Sequence, residues 1–118
     1  MSIAQQLAVV TGAGSGLGQA IAERLARDGA RVALLDLDAD RAEAAAAGIR
    51  AAGGEAAGYA ADVSDATALD DAVSAAIRAF GPLYAMVNNA GILDGYQDVD
   101  EIDESAWRRV IDINLTGV

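Results

Sequence analysis

Four short apolar runs alternate along this chain with helix-favouring segments, and this alternation limits the fold more than any other feature. Strands that alternate with helices of this length form parallel sheets joined by right-handed crossovers, with helices on both faces. We therefore predict an α/β fold with a doubly wound parallel sheet of about four strands, in a single domain over residues 1–118. The runs that predict the strands are 7–10, 32–35, 55–61, which is weak and rich in alanine, and 83–87.

The helices are predicted from apolar stripes. In the first helix, Leu17, Ile21 and Leu25 recur at every fourth residue, and we expect this stripe to begin at Leu17 and to face the core. Ser64 or Asp65 can cap the third helix. A long loop leads to a last helix that begins near residues 103–105, with apolar positions at Trp107, Val110, Ile111, Leu115 and Val118.

Composition excludes several function classes. The chain has no cysteine and no histidine, so we expect no disulfide, no thiolate site and no metal catalysis. The formal net charge is −10 and all eight basic residues are arginine, which argues against a nucleic-acid surface. No apolar run approaches the roughly 20 residues of a membrane span, and the N-terminus lacks the basic region of a signal peptide. We expect a cytoplasmic protein with no membrane partner.

A glycine-rich turn, Thr11 to Gly18, joins the first strand to the first helix. In such a sheet, ligands lie beyond the carboxyl ends of the strands, and this turn meets phosphates. Glycine permits close approach to a pyrophosphate, and the free N–H groups of the helix N-terminus stabilise it. The turn predicts a Rossmann-type nucleotide site in which Gly12, Gly16 and Gly18 contact pyrophosphate.

Other interpretations of the turn can be weighed on the same residues. The glycines could form a purely structural turn. A Walker A loop needs a lysine, and the chain has none. A methyltransferase-type Gly-x-Gly-x-Gly is present at Gly12, Gly14 and Gly16, but Val10 stands where an acidic residue normally precedes it. The methyltransferase alternative is weakened and stays open.

Asp36 ends the second strand, 24 residues after Gly12. An acidic side chain there can accept hydrogen bonds from the adenosine ribose hydroxyls and would repel a 2′-phosphate. Leu37 follows it and Ser15 lies in the turn, so neither of these positions offers a base to NADP. We predict NAD as the cofactor, preferred over NADP. Two alternatives stay open: a role for Asp36 only as the cap of a turn, and a ribose contact from Asp38 instead of Asp36.

The sequence resembles the short-chain dehydrogenase/reductase family along almost its whole length. Four motifs occur in the family's order: the Thr-Gly-x-x-x-Gly-x-Gly turn at 11–18, Asp62-Val63, the Asn-Asn-Ala-Gly segment at 88–91, and Asn114. The resemblance implies that Asp62 bonds the adenine amino group beside Val63. It also implies that Asn88 supports the strand ends, and that a segment passing beneath the cofactor ribose is formed by Asn89, Ala90 and Gly91.

Asn114 is the active-site asparagine that the resemblance implies, holding a water in a proton relay. It also falls on the apolar stripe of the last helix, so we expect a buried amide that needs hydrogen-bond partners. The alternative role for Asn114 is a helix C-cap before Thr116 and Gly117. The alternative role for Asp62 is a helix cap.

The family's chemistry is hydride transfer between NAD(H) and an alcohol or ketone, using a Ser and a Tyr-x-x-x-Lys pair. The chain has no lysine, so none of its tyrosines, Tyr59, Tyr84 and Tyr96, fits that pair. We expect the Ser, Tyr and Lys to follow residue 118, with later strands of the sheet, and the 118-residue chain alone to be inactive. The resemblance also implies a homo-oligomer, dimer or tetramer. A non-catalytic NAD-binding protein is the main alternative.

Overall fold

A computed structural model describes residues 2–92 and 101–118 of the chain. Tyr96 and most of the loop predicted before the last helix lie outside these residues. Along the chain, the elements are β1 Leu7–Thr11, α1 Gly16–Arg27, β2 Arg31–Asp36, α2 Ala39–Ala51, β3 Glu55–Ala60, α3 Ala66–Phe80, β4 Leu83–Val87 and α4 Glu104–Ile111, which continues into a π-helical turn at Asp112–Thr116.

The four strands form one parallel sheet in the order β3-β2-β1-β4. In the register of the sheet, Val9 of β1 lies beside Ala33 of β2 and Met86 of β4. The chain therefore starts in the middle of the sheet, builds outward to β3 and crosses back to β4. This crossover places the carboxyl ends of β1, β2 and β4 side by side, as the predicted ligand edge requires.

Apolar side chains alternate between the two faces of the sheet. Val10, Val32 and Leu34 pack on one face with residues of α1 and α2. Val9 and Leu35 pack on the other face with residues of α3. The predicted Rossmann-type α/β fold, with helices on both faces of a parallel sheet, is confirmed.

The weak third strand is held by an unusually close helix. A Cβ atom built on Gly58 of β3 would lie 2.5 Å from the backbone carbon of Ala42 in α2. A side chain at Gly58 would push the helix away from the sheet. The small residues bury little apolar area, but they let α2 pack very close to β3. This close packing explains how an alanine-rich segment forms a strand here.

The predicted core stripe of α1 is wrong at its first position. Leu17 is 70% exposed, whereas Ile21 and Leu25 are partly buried and Ala22 is fully buried. Leu17 lies in the first turn of the helix, beyond the carboxyl edge of the sheet, where no strand lies beneath it. The helix meets the sheet through Gly18 and Ala22 instead.

The predicted stripe of the last helix also differs from the structure. Trp107 and Leu115 are 53% and 69% exposed, while Ile113 is buried. For Ile113 and Leu115 the reason is the π-helical turn, in which the Gly117 N–H donates to the Asp112 carbonyl at 2.7 Å. Such a turn holds one residue more than an α-helical turn, so the side chains after it no longer follow the 3.6-residue period.

Candidate functional site

A groove runs along the carboxyl edge of the sheet. It consists of two adjoining pockets of about 300 and 80 Å³. Gly12, Asp36, Leu37, Ala90 and Gly91 line both pockets. The larger pocket adds the start of α1, and the smaller one adds the end of β3. The remaining predicted site residues in their walls are Ser15, Leu17, Gly18 and Asn89 in the larger pocket and Asp62 and Val63 in the smaller.

A more voluminous depression of about 540 Å³ lies elsewhere, between α1 and α2. Its apolar walls are formed by Ala26, Ile49 and Ala52, and the charged residues Glu23 and Arg27 of α1 also line it. None of the strand ends contributes to it. The groove at the carboxyl edge is smaller than this depression, but strand ends, a helix N-terminus and acidic side chains meet there. This groove is therefore the candidate site.

The glycines of the turn are needed for different reasons. Gly16 has a φ of +56°, and a Cβ built on it meets nothing within 4 Å, so this position faces open space. At Gly18 a Cβ would lie 2.2 Å from the Gly12 carbonyl oxygen and 2.5 Å from Nδ2 of Asn89. Gly18 therefore lets α1 begin against the turn, while Gly16 leaves the turn accessible.

The N-terminus of α1 differs from those of the other three α-helices in the described residues. Asp38, Asp65 and Asp103 cap α2, α3 and α4, each accepting backbone N–H groups of the first turn. The open choice of cap for α3 thus falls on Asp65. Ser15 precedes α1 without a side-chain capping bond, and the first turn carries no acidic residue. These N–H groups and the positive end of the helix dipole face the groove without a competing carboxylate.

Asp36 and Asp38 have separate environments. The Asp36 carboxylate lines both pockets and accepts from the N–H groups of Gly14 at 3.4 Å and Asp38 at 3.1 Å. Asp38 accepts from Asp40 and Arg41 as the cap of α2, and the Arg41 backbone bond is the main cause that lowers the pKa of its carboxyl. Asp36 is thus the carboxylate in the groove, although it also holds a turn.

Arg41 is a site residue that the sequence analysis missed. It lines the larger pocket with Asp36 and Ser15, and its Nε lies 3.3 Å from Oδ2 of Asp38. The positions expected to offer a base to NADP were Ser15 and Leu37, whereas Arg41 lies in the first turn of α2. A cation therefore lies in the same pocket as Asp36 and is paired with Asp38, the cap of α2.

Thr11 and Asn89 join the ends of β1 and β4. The Thr11 hydroxyl oxygen accepts from the backbone N–H groups of Asn89 at 3.1 Å and Ala90 at 3.0 Å. Nδ2 of Asn89 donates to the carbonyls of Thr11 at 3.2 Å and Gly12 at 3.3 Å. The strand-supporting role expected of Asn88, which is exposed, thus falls to Asn89.

Asp62 is held by two neighbours. Its Oδ1 accepts from the backbone N–H of Ser64 at 2.9 Å and from the Ser64 hydroxyl at 2.6 Å, while its Oδ2 accepts from Arg109 at 2.9 Å. The bond from the Ser64 hydroxyl, and then those from its backbone and from Arg109, hold the pKa of Asp62 below its usual value. Because Asp65 caps α3, the helix-cap alternative for Asp62 is wrong.

Asn114 is exposed, so the expectation of a buried amide is wrong. The π-helical turn places Ile113 inward instead, and Ile113 lines the smaller pocket. Both amide atoms of Asn114 nevertheless make a hydrogen bond: Nδ2 donates to the Ile92 carbonyl and Oδ1 accepts from the Ile92 N–H, both at 2.8 Å. Its side chain thus fixes the backbone that follows Gly91 and does not act as a helix cap.

Residues 2–92 and 101–118 contain neither a candidate metal cluster nor a candidate membrane span. No cluster of three or more acidic, histidine or cysteine side chains there could hold a metal ion. Nor is any helix in this part of the chain both long and apolar enough to cross a lipid bilayer.

The parallel sheet, its covering helices and the groove at its carboxyl edge define a Rossmann-type α/β protein. The family model for short chain dehydrogenases matches residues 6–118, and the chain belongs to this family. The family uses NAD or NADP. The resemblance stated from the sequence is confirmed.

Curated relatives agree with this membership. The chain is 42% identical over 95% of its length to 2-(S)-hydroxypropyl-CoM dehydrogenase 3 of Xanthobacter autotrophicus, covering 44% of that protein. It is 43% identical over 99% of its length to cis-4-hydroxycyclohexanecarboxylate dehydrogenase of Sinomonas cyclohexanicum, covering 47%. It is 40% identical over 95% of its length to D-threitol dehydrogenase of Mycolicibacterium smegmatis, covering 43% of that protein. The chain spans a little under half the length of these relatives.

Proposed function

We propose that this chain is the cofactor-binding part of an oxidoreductase that prefers NAD over NADP and acts on an alcohol or ketone. The observation that carries the proposal is the uncapped N-terminus of α1 in the same pocket as Asp36. Helix N–H groups favour the negative pyrophosphate, and a carboxylate one strand away favours ribose hydroxyls. Together they match the two polar parts of a dinucleotide.

The residues present fit such a cofactor along the whole groove. Gly12, Gly16 and Gly18 with Ser15 would hold the pyrophosphate, since a side chain is sterically excluded at Gly18 and open space adjoins Gly16. Exposed Leu17 and Leu37 would cover apolar parts of the cofactor. Asp62 and Val63 would hold the adenine, and the ribose of the nicotinamide half would lie against Asn89, Ala90 and Gly91.

The preference for NAD rests on Asp36. A carboxylate that lines both pockets would accept from ribose hydroxyls and repel a 2′-phosphate. Arg41, the cation in the larger pocket, is paired with Asp38, which leaves its charge partly neutralised. We therefore expect NAD to bind more tightly despite a nearby arginine.

The activity proposed for the full-length protein follows from the relatives, each of which is named as a dehydrogenase. When bound, the nicotinamide takes up or supplies a hydride. Among the residues of this chain, Asn114 would support catalysis by orienting the backbone at Ile92, which lines the groove, and by holding a water for proton transfer. The substrate-contacting Ser, Tyr and Lys would come from the rest of the protein.

We further propose a homo-oligomer. Trp107 and Leu115 of the α4 region, both largely exposed, offer an apolar surface that a second copy could cover. Sedimentation of the full-length protein would give a dimer or tetramer if this is correct. A monomer at micromolar concentration would contradict it.

Calorimetric titration of the full-length protein with NAD, NADP and S-adenosylmethionine tests the proposed cofactor. We expect NAD to bind most tightly and S-adenosylmethionine not to bind. An NAD-dependent absorbance change with secondary alcohols would then establish turnover. Binding of NAD with no turnover on any alcohol or ketone would favour the non-catalytic alternative, and binding of S-adenosylmethionine alone would overturn the proposal.

A further inference from the structure

Arg109 forms a long-range ion pair at the adenine end of the groove. Its Nη1 atom reaches from α4 to Oδ2 of Asp62 at 2.9 Å and to the Ser64 hydroxyl at 3.2 Å. The two charged partners are 47 residues apart in the sequence, and their side chains are 42% and 31% exposed. This pair therefore joins two separate elements at a place partly shielded from water.

The neighbouring arginine shows how different this contact is. Arg108 pairs with Glu104 one turn back on the same helix, and these side chains are 72% and 77% exposed. An ion pair of that kind contributes little and joins nothing beyond its own helix. Arg108 thus provides an internal reference for the effect of losing an arginine from α4.

Counting acceptor positions shows what Arg109 does to Asp62. Each carboxylate oxygen can accept about two hydrogen bonds. Oδ1 already accepts two from Ser64, whereas Oδ2 accepts one, from Arg109. Among the described residues, the acceptor position left on Asp62 is thus on the oxygen that Arg109 holds. Any donor from a ligand in the smaller pocket would have to use that oxygen.

The same helix is anchored to the groove at two further points. A Cβ built on Gly117 would lie 2.8 Å from Cγ2 of Val63, so the end of the π-helical turn lies directly against the residue after Asp62. Asn114 holds the backbone of Ile92, and Ile92 lines the same pocket as Asp62. A shift of α4 would therefore move both Asp62 and Asn114.

We propose that Arg109 is a positioning residue for adenine recognition: it reaches from α4 and fixes the free acceptor of Asp62. This inference rests on the proposed NAD-binding function. It predicts that Arg109 acts only on cofactors that carry adenine. A residue that merely supports the fold would affect all cofactors alike.

The test compares NADH with reduced nicotinamide mononucleotide, which lacks the adenosine half, in the full-length protein. Arg109→Gln should raise KM for NADH by about tenfold, the equivalent of one charge-assisted hydrogen bond, and leave KM for the mononucleotide unchanged. Arg108→Gln, the matched control, should change neither value. Arg109→Lys should recover part of the NADH affinity, because lysine keeps the charge but loses the planar geometry.

A double-mutant cycle tests whether Arg109 acts through Asp62. The variant Asp62→Asn with Arg109→Gln should bind NADH about as weakly as Asp62→Asn alone. If the double variant lost NADH affinity by the product of the two single-variant losses, the proposal would be overturned. An unchanged KM for NADH in Arg109→Gln, or an equal rise in KM for both cofactors, would also overturn it. If the unmodified protein does not bind NADH, the proposed function fails and the inference fails with it. If it binds NADH and Arg109→Gln binds equally well, the inference alone fails.

Discussion

The two ends of the groove are built in different ways. At the turn end, comprising residues 12–18 and Asp36, the site follows from backbone geometry: a strand, a glycine turn and an uncapped helix. At the α4 end, comprising Asp62, Arg109 and Asn114, it depends on side chains that reach between distant segments. Steric changes should therefore dominate at the turn end, while loss of single hydrogen bonds should give smaller, separable effects at the α4 end.

The largest effect is expected from Gly18→Ala. Its Cβ would lie 2.2 Å from the Gly12 carbonyl oxygen, so the turn and the start of α1 must separate. We expect a loss of about 1–3 kcal/mol in the free energy of unfolding and, because helix N-terminus and turn move apart, a comparable loss in NAD binding, about 10- to 100-fold. Thermal melts and calorimetric titration measure both.

Gly48→Ala is the control for this change. Gly48 lies inside α2, where a Cβ would meet nothing within 4 Å, so alanine should stabilise the protein by about 0.5–1 kcal/mol. Its NAD affinity should not change. If Gly18→Ala bound NAD like the unmodified protein, the turn end would not be sterically defined.

A smaller effect is expected from Asn114→Ala at the α4 end. Alanine would lose both hydrogen bonds to the Ile92 backbone. We expect the free energy of unfolding to fall by only about 1 kcal/mol, because the site is exposed. We expect kcat of the full-length protein to fall by about 10- to 100-fold through misplacement of the groove wall. Thr116→Ala, an exposed neighbour on the same turn, should leave kcat unchanged. Equal kcat values for the two variants would remove Asn114 from the catalytic proposal.

The turn end and the α4 end also differ in how much of their structure could be predicted from the sequence. The parallel sheet, the helices on both faces and the position of the glycine turn between β1 and α1 follow from patterns that depend on neighbouring residues. The exposure of Leu17 and Asn114 was missed because an ideal helical period ignores where the sheet ends and where a π-helical turn breaks the repeat. No spacing rule joins Arg109 to Asp62, since that contact exists only once the fold brings α4 near the segment that follows β3.

The smallest effect concerns acid stability. The pKa of Asp62 is lowered in the folded chain, first by the Ser64 hydroxyl and also by Arg109, so its ionised form stabilises the fold. That contribution is complete above the unfolded pKa of about 4 and is lost as the pH falls through the folded value. Asp62→Asn should be less stable than the unmodified protein at pH 7 by less than about 1 kcal/mol.

Denaturant melts from pH 7 down to pH 3 would measure this difference. The gap between Asp62→Asn and the unmodified protein should narrow only below about pH 4. A gap that stays constant across this range would show that the charge of Asp62 does not contribute.

The central claim, that the groove at the turn end binds NAD through Asp36, is tested most directly by the ratio of NADP to NAD dissociation constants. The matched variants are Asp36→Asn and Asp38→Asn, because asparagine keeps the cap of α2. We expect the unmodified protein to favour NAD, Asp38→Asn to favour NAD less strongly because Arg41 loses its partner, and Asp36→Asn to lower the ratio by about tenfold or more as repulsion of the 2′-phosphate is removed. An unchanged ratio in Asp36→Asn, or a tighter affinity of the unmodified protein for NADP, would contradict the account.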